Sequence, residues 1–157
     1  MNTSNHIKLL TINAMIAGIY AALTLLLAPI SYLGVQFRIS EIIVLLAFYK
    51  KEYIPGLVIG CFLANIPSPM GAMDMIFGTL STIIVCIVMY YIHNKYLATC
   101  LGAIITGLIV GGELYFTLNT PFIATAFYVF LGEYVVLLIG ILIFHWLERN
   151  PRIKKYL

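Results

Sequence analysis

Six apolar segments, at residues 9–29, 40–49, 53–66, 72–93, 97–118 and 121–147, account for most of the sequence, and only short polar breaks separate them. A chain patterned this way has almost no polar face to turn toward water. In a bilayer, where every backbone N–H and C=O must be paired internally, it is confined to helices or a closed barrel, and segments of this length read as helices. Composition agrees: of 157 residues 62% are hydrophobic and 10% charged, with a mean hydropathy of +1.04, whereas a soluble domain is about half apolar and a quarter charged. A soluble fold is excluded. At about 20 residues per crossing the length fits one domain of five or six helices, with no room for an ATPase or an extracellular domain.

The expected fold is therefore an all-α integral membrane protein with six transmembrane helices, a single domain over residues 1–157. No repeat, low-complexity tract or linker divides it. The second and third segments, ten to fourteen residues long, fall below the usual spanning length; residues 30–37 extend the second. The first run ends in Pro29-Ile30-Ser31-Tyr32 without a small-residue cleavage pattern, so it is expected to be retained rather than removed as a signal. Cys61, Cys86 and Cys100 are odd in number and lack metal-type spacing, and read as small packing residues.

Cytoplasmic loops carry an excess of Lys and Arg. Six crossings with both termini cytoplasmic place Lys8, Lys50, Lys51, Lys95, Arg149, Arg152, Lys154 and Lys155 inside with Glu52 and Glu148, and leave Arg38 outside with Glu41, Asp74, Glu113 and Glu133. The outer acids converge. Glu41 and Asp74 begin the second and fourth segments from the outside; Glu113 lies about 24 Å beyond Leu97, and Glu133 about 18 Å into the last segment. A carboxylate at that depth costs a few kcal/mol and normally faces a ligand or a proton path. Arg38 and Glu41, three residues apart, read most simply as a local salt bridge, and more specifically as an arginine that orients Glu41.

Beside these acids stand Tyr32, Phe37, Phe77, Tyr115, Phe116, Phe122, Phe127 and Tyr128. An interfacial aromatic belt accounts for most of them. Carboxylate acceptors with adjacent rings also suit a planar, hydrogen-bond-donating, cationic heterocycle such as one with a guanine-like edge. Asn65 can both donate and accept there, or close a helix C-terminus. A small-residue stripe on the first segment (Ala14, Ala17, Gly18, Ala21, Ala22) and Gly107-x-x-x-Gly111 on the fifth allow close helix approach. His6, His93 and His145 lie on the cytoplasmic side, away from the acids, so no metal set and no catalytic set is expected, and neither a nucleophile motif nor a Walker sequence occurs.

In Val35-Gln36-Phe37-Arg38-Ile39-Ser40-Glu41, in Ile54-Pro55-Gly56-Leu57 continuing through Gly60-Cys61 to Ala64-Asn65, in Asp74-Met75-Ile76-Phe77-Gly78-Thr79-Leu80, and in Gly112-Glu113-Leu114-Tyr115 followed by Gly132-Glu133, the sequence resembles the QueT family. These are substrate-binding S components of energy-coupling-factor (ECF) transporters that import queuosine precursors. The resemblance implies a six-helix S component in the cell membrane. It would capture a 7-deazaguanine compound (the 7-aminomethyl form, queuine or queuosine) at its outer face and dock on a transmembrane T component carrying two cytoplasmic ABC ATPases. It implies no cofactor in this chain, ATP being used by the partner ATPases, and no nucleic-acid partner. Toppling of the S component, with its first helix sliding on the T component, would give Ala17 and Ala21, with Ala14 and Gly18, a docking role.

On this reading Glu113 and Glu133 are the principal ligand carboxylates. Glu41, Asp74 and Asn65, with Arg38, complete the polar set, and Phe37, Phe77 or Tyr115 stacks on the ligand. The alternatives are a self-sufficient proton-coupled secondary transporter with Glu133 as its proton site, and an assembly or anchoring protein without a ligand.

Overall fold

The computed structural model describes residues 3–32 and 37–154. Leu33 to Gln36, which include Val35 and Gln36 of the first motif, and Lys155 lie outside the described residues. The described chain is helical, and each of the six expected segments contributes. Among the described residues, four helices are long and apolar enough to cross a membrane: α1 (Thr3–Leu26), α5 (Ala72–Tyr91), α6 (Lys95–Leu118) and α7 (Phe122–Glu148). The shorter pieces, in chain order, are α2 (Ala28–Ser31), α3 (Leu46–Tyr49), α4 (Ile54–Asn65) and α8 (Pro151–Lys154).

Local chemistry sets the boundaries. Pro29 lacks an N–H and cannot continue α1, which stops at Leu26 before the single turn of α2. The Phe37 N–H donates to the Ile30 carbonyl at 3.1 Å. Ile30 therefore belongs to α2 and does not extend the second segment. That segment is a seven-residue 3-10 helix, Ile39–Leu45, running into α3. Ile39, Ile42, Ile43 and Val44 are β-branched and crowd the preceding turn of an α-helix. A 3-10 run of this length is uncommon. Rising about 2.0 Å per residue against 1.5 Å, it carries its seven residues further than an α-helix would.

Asn94 caps α6 by accepting from the Tyr96 and Leu97 N–H groups at 3.0 and 3.2 Å, and Asn119, at φ 53°, ends it in the left-handed region. The first turn of α4 borrows its cap. The Asn13 side chain on α1 accepts from the Gly56 N–H at 2.6 Å and donates to the Glu52 carbonyl at 2.9 Å.

The order of packing is α1 on α4, α4 on α5, α5 on α6 and α6 on α7; the 3-10 segment lies against α7, α1 and α5 and closes the bundle. The main core of Tyr20, Val44, Leu57, Cys61, Val85, Met89 and Leu137 fills the interior, and a smaller cluster of Val110, Leu114 and Val129 sits beneath Met70. Large apolar side chains such as Met15, Ile76, Leu108, Ile123 and Leu142 are exposed around the long helices, as a lipid-facing surface requires.

At the basic end, Lys95 and Tyr49 both donate to Glu148, each at 2.6 Å, and tie α3, α6 and α7 together. The Gly107-x-x-x-Gly111 pair lies on α7: an added Cβ at either glycine would come within 2.7 Å of the Ala126 backbone.

Candidate functional site

The sequence-predicted acids gather around Arg38, away from the Lys95–Glu148 pair. Arg38 stands just before the 3-10 segment in extended conformation, at φ −94° and ψ 95°. Because residue 38 is not helical, its side chain does not stack over Glu41. It reaches α5 instead, where Nη2 donates to Asp74 Oδ1 at 2.7 Å in a buried ion pair. The local Arg38–Glu41 salt bridge expected from their spacing is thus replaced by one across 36 residues of chain, and Glu41 accepts from the Tyr20 hydroxyl on α1.

Asn65, the last residue of α4, is wholly buried. Its Nδ2 donates to the Asp74 carbonyl at 3.0 Å, so it ties α4 to α5. Gly78 is required beside it, since a Cβ there would sit 2.5 Å from Asn65 Nδ2 and 3.3 Å from both Arg38 Nη1 and Asp74 Oδ1.

Arg38, Glu41 and Glu133 line one cavity of about 10 Å³, together with Gly78, Ser81, Thr82, Thr106, Val110 and Val129. That volume holds about one water molecule. Asp74 and Asn65 join this cavity through Arg38 and Gly78. Glu113 is wholly buried next to it on α6, within electrostatic reach of Asp74 and Arg38. Arg38 is the one buried cation among the described residues, and it faces Glu41 and Glu133 electrostatically as well.

Hydrogen-bond satisfaction is uneven. Both Glu113 oxygens, one oxygen each of Glu133 and Asp74, Asn65 Oδ1 and Arg38 Nε are buried without a partner among the described residues. Leaving such groups unpaired costs about 1–3 kcal/mol each, and more when charged. The arrangement is therefore an excess of carboxyl groups around a single guanidinium, suited to a ligand that brings N–H donors and positive charge.

The predicted aromatic partners do not line the cavity. Phe37 and Phe77 are half-buried beside it in sequence. Tyr115 is 47% exposed and packs edge-on against Phe116 and Phe122, on the surface where a belt would lie. On α1 the stripe divides. Ala17 is buried against α4, where a Cβ on Gly60 would come within 3.0 Å of its backbone, and Ala21 packs on the core. Ala14, Gly18 and Ala22 face outward.

Sequence reasoning missed Tyr20, Ser81, Thr82 and Thr106. The available signal was a set of hydroxyls on otherwise apolar helices; Ser81 and Thr106 lie 3.2 Å apart across α5 and α6.

The profile of the QueT transporter family matches residues 10–149. A curated relative, the queuosine precursor transporter QueT of Lactococcus lactis subsp. cremoris (strain MG1363), is 35% identical over 171 aligned residues, covering 99% of this chain and 100% of the relative. No solved structure matches the chain. A family match across most of the sequence, and similarity to a relative along its full length, mean that this multi-pass membrane protein belongs to the QueT transporter family.

Proposed function

We propose that the chain is the substrate-binding S component of an ECF-type importer, which captures a 7-deazaguanine queuosine precursor at the outer membrane face. The observation that carries the ligand chemistry is the buried surplus of carboxylates around Arg38, with both Glu113 oxygens and one Glu133 oxygen unpartnered. 7-Aminomethyl-7-deazaguanine offers ring and amino N–H donors along a guanine edge and an ammonium on the opposite side. Glu133 and Glu41 would accept from one part and Glu113 would pair with the other, each a charge-assisted contact. Arg38, Asp74 and Asn65 hold the frame. Phe37 or Phe77, next in sequence to the cavity residues Arg38 and Gly78, would stack once the site widens.

A cavity of about 10 Å³ admits no bicyclic base, so binding requires side chains and the turn at Met70 to move outward. Met70 packs on the small Val110, Leu114 and Val129 cluster, two of whose members, Val110 and Val129, line the cavity.

The same reading makes the acidic end the outer one. The two short segments then complete six crossings, and both termini are cytoplasmic with the basic residues. A chain of this kind draws its energy from a T component and two ABC ATPases, and needs no cofactor of its own. Ala14 and Gly18, exposed on α1, are the stripe residues that would meet the T component, whereas Ala17 is buried against α4.

Calorimetric titration of the purified protein with 7-aminomethyl-7-deazaguanine tests the ligand, with guanine and riboflavin as controls. A Kd from nanomolar to low micromolar is expected, about −12 to −8 kcal/mol. Glu113→Gln and Glu133→Gln should each weaken binding at least tenfold. Wild-type affinity in both variants would remove the two carboxylates from the site. Uptake that persists without the ATPase module would favour the proton-coupled carrier.

A further inference from the structure

Tyr20 belongs to none of the cavity-forming helices, and it is the bulkiest of the fully buried side chains. Its stem is clamped by α4, since a Cβ on Gly60 would come within 2.8 Å of Tyr20 Cβ. Its hydroxyl donates to Oε1 of Glu41. One turn further along α1, Thr24 Oγ1 donates to the Tyr20 carbonyl at 3.0 Å and lies 2.7 Å from Ser40 Oγ. With the threonine proton already used, Ser40 is the donor of that contact. Two side-chain bridges, Tyr20 to Glu41 and Ser40 to Thr24, therefore join α1 to adjacent residues of the 3-10 segment.

Glu41 lines the cavity while giving Oε1 to Tyr20, so Oε2 is the oxygen left for a ligand. A free glutamate loses side-chain rotamer entropy when it is fixed. A carboxylate already held in place loses less on binding. A phenol that donates also commits Glu41 to the acceptor role.

We propose that Tyr20 is a positioning residue of the ligand site, fixing Glu41 as a preorganised acceptor and making α1 a structural part of a site it does not line. This inference rests on the deazaguanine reading above for its ligand. It ties the site, through the Tyr20–Glu41 bond, to the helix that carries the outward Ala14 and Gly18 stripe.

The test is a double-mutant cycle in detergent. Wild type, Tyr20→Phe, Glu41→Gln and the double variant are titrated with 7-aminomethyl-7-deazaguanine, and the melting temperature of each is recorded. Tyr20→Phe keeps the ring and its packing, and should weaken binding about tenfold. In the Glu41→Gln background the same change should alter binding less than twofold. Wild-type affinity for Tyr20→Phe, or a tenfold loss that persists without the Glu41 carboxylate, would overturn the proposal.

Infrared difference spectra supply a reading that needs no ligand. The Glu41 band, identified by its loss in Glu41→Gln, should shift in Tyr20→Phe, and an unshifted band would also overturn the proposal. Wild type that takes up no probe would refute the ligand reading, while the infrared result would still decide the role of Tyr20.

Discussion

The Arg38–Asp74 pair makes a quantitative prediction because its partners are not equivalent. At 2.7 Å and an effective dielectric near 20, the attraction is about 6 kcal/mol, and desolvating each ion takes back several kcal/mol. The net value of the intact pair is small, but removing one partner strands a buried charge, at about 3–5 kcal/mol.

Arg38→Met strands more than Asp74. The guanidinium also faces Glu41, Glu113 and Glu133, so this variant should lie at the upper end of that range. Asp74→Asn leaves the guanidinium among three other carboxylates and keeps the side-chain shape, so its loss should stay near 1–2 kcal/mol. At about 2–4 °C per kcal/mol for a chain of this size, Arg38→Met should lower the melting temperature by roughly 10 °C or more, and Asp74→Asn by less than half as much. Thermal unfolding in detergent, followed by circular dichroism, measures both. Equal losses would show that the two residues form a closed pair and that Arg38 is not a shared counter-charge. No loss in Arg38→Met would refute the burial argument itself.

Three further outcomes follow from the packing. Asn13→Leu removes both side-chain bonds to the start of α4 and leaves the Gly56 N–H unpaired, so unfolding should become easier by about 2–4 kcal/mol, and an unchanged melting temperature would contradict this. Gly111→Leu drives a branched side chain into the Ala126 backbone; the strain of about 1–3 kcal/mol or more should exceed the helix-propensity gain of about 1 kcal/mol, and a net stabilisation would show that α6 and α7 can separate freely. Ala17→Trp should destabilise the fold because Ala17 is 5% exposed against α4. Gly18→Trp, with open space around it, should leave stability and ligand affinity intact yet impair ATPase-driven uptake; full uptake in that variant would place docking elsewhere.

Much of this protein was determined by its sequence. Long apolar runs leave helices as the economical way to pair the backbone in lipid, and the four helices of spanning length fall where those runs lie. Acids on apolar segments also mark themselves, since nothing but burial toward partners makes them tolerable there; Glu41, Asp74, Glu113 and Glu133 are all buried inside the bundle. Family membership was legible in the same short motifs.

The tertiary structure decided which of these groups meet. Helical spacing suggested that Arg38 pairs with Glu41, but the extended backbone at residue 38 sends the guanidinium to Asp74 on another helix. The small-residue stripe lies along one face of α1 in sequence, and only the approach of Gly60 on α4 determines that Ala17 turns inward and Gly18 outward. Tyr20 looked like one more apolar residue until Glu41 was placed beside its hydroxyl. Periodicity encodes which face of an element is buried, whereas contact between side chains far apart in sequence depends on how helices are rotated and how closely they approach, which only the packed bundle fixes.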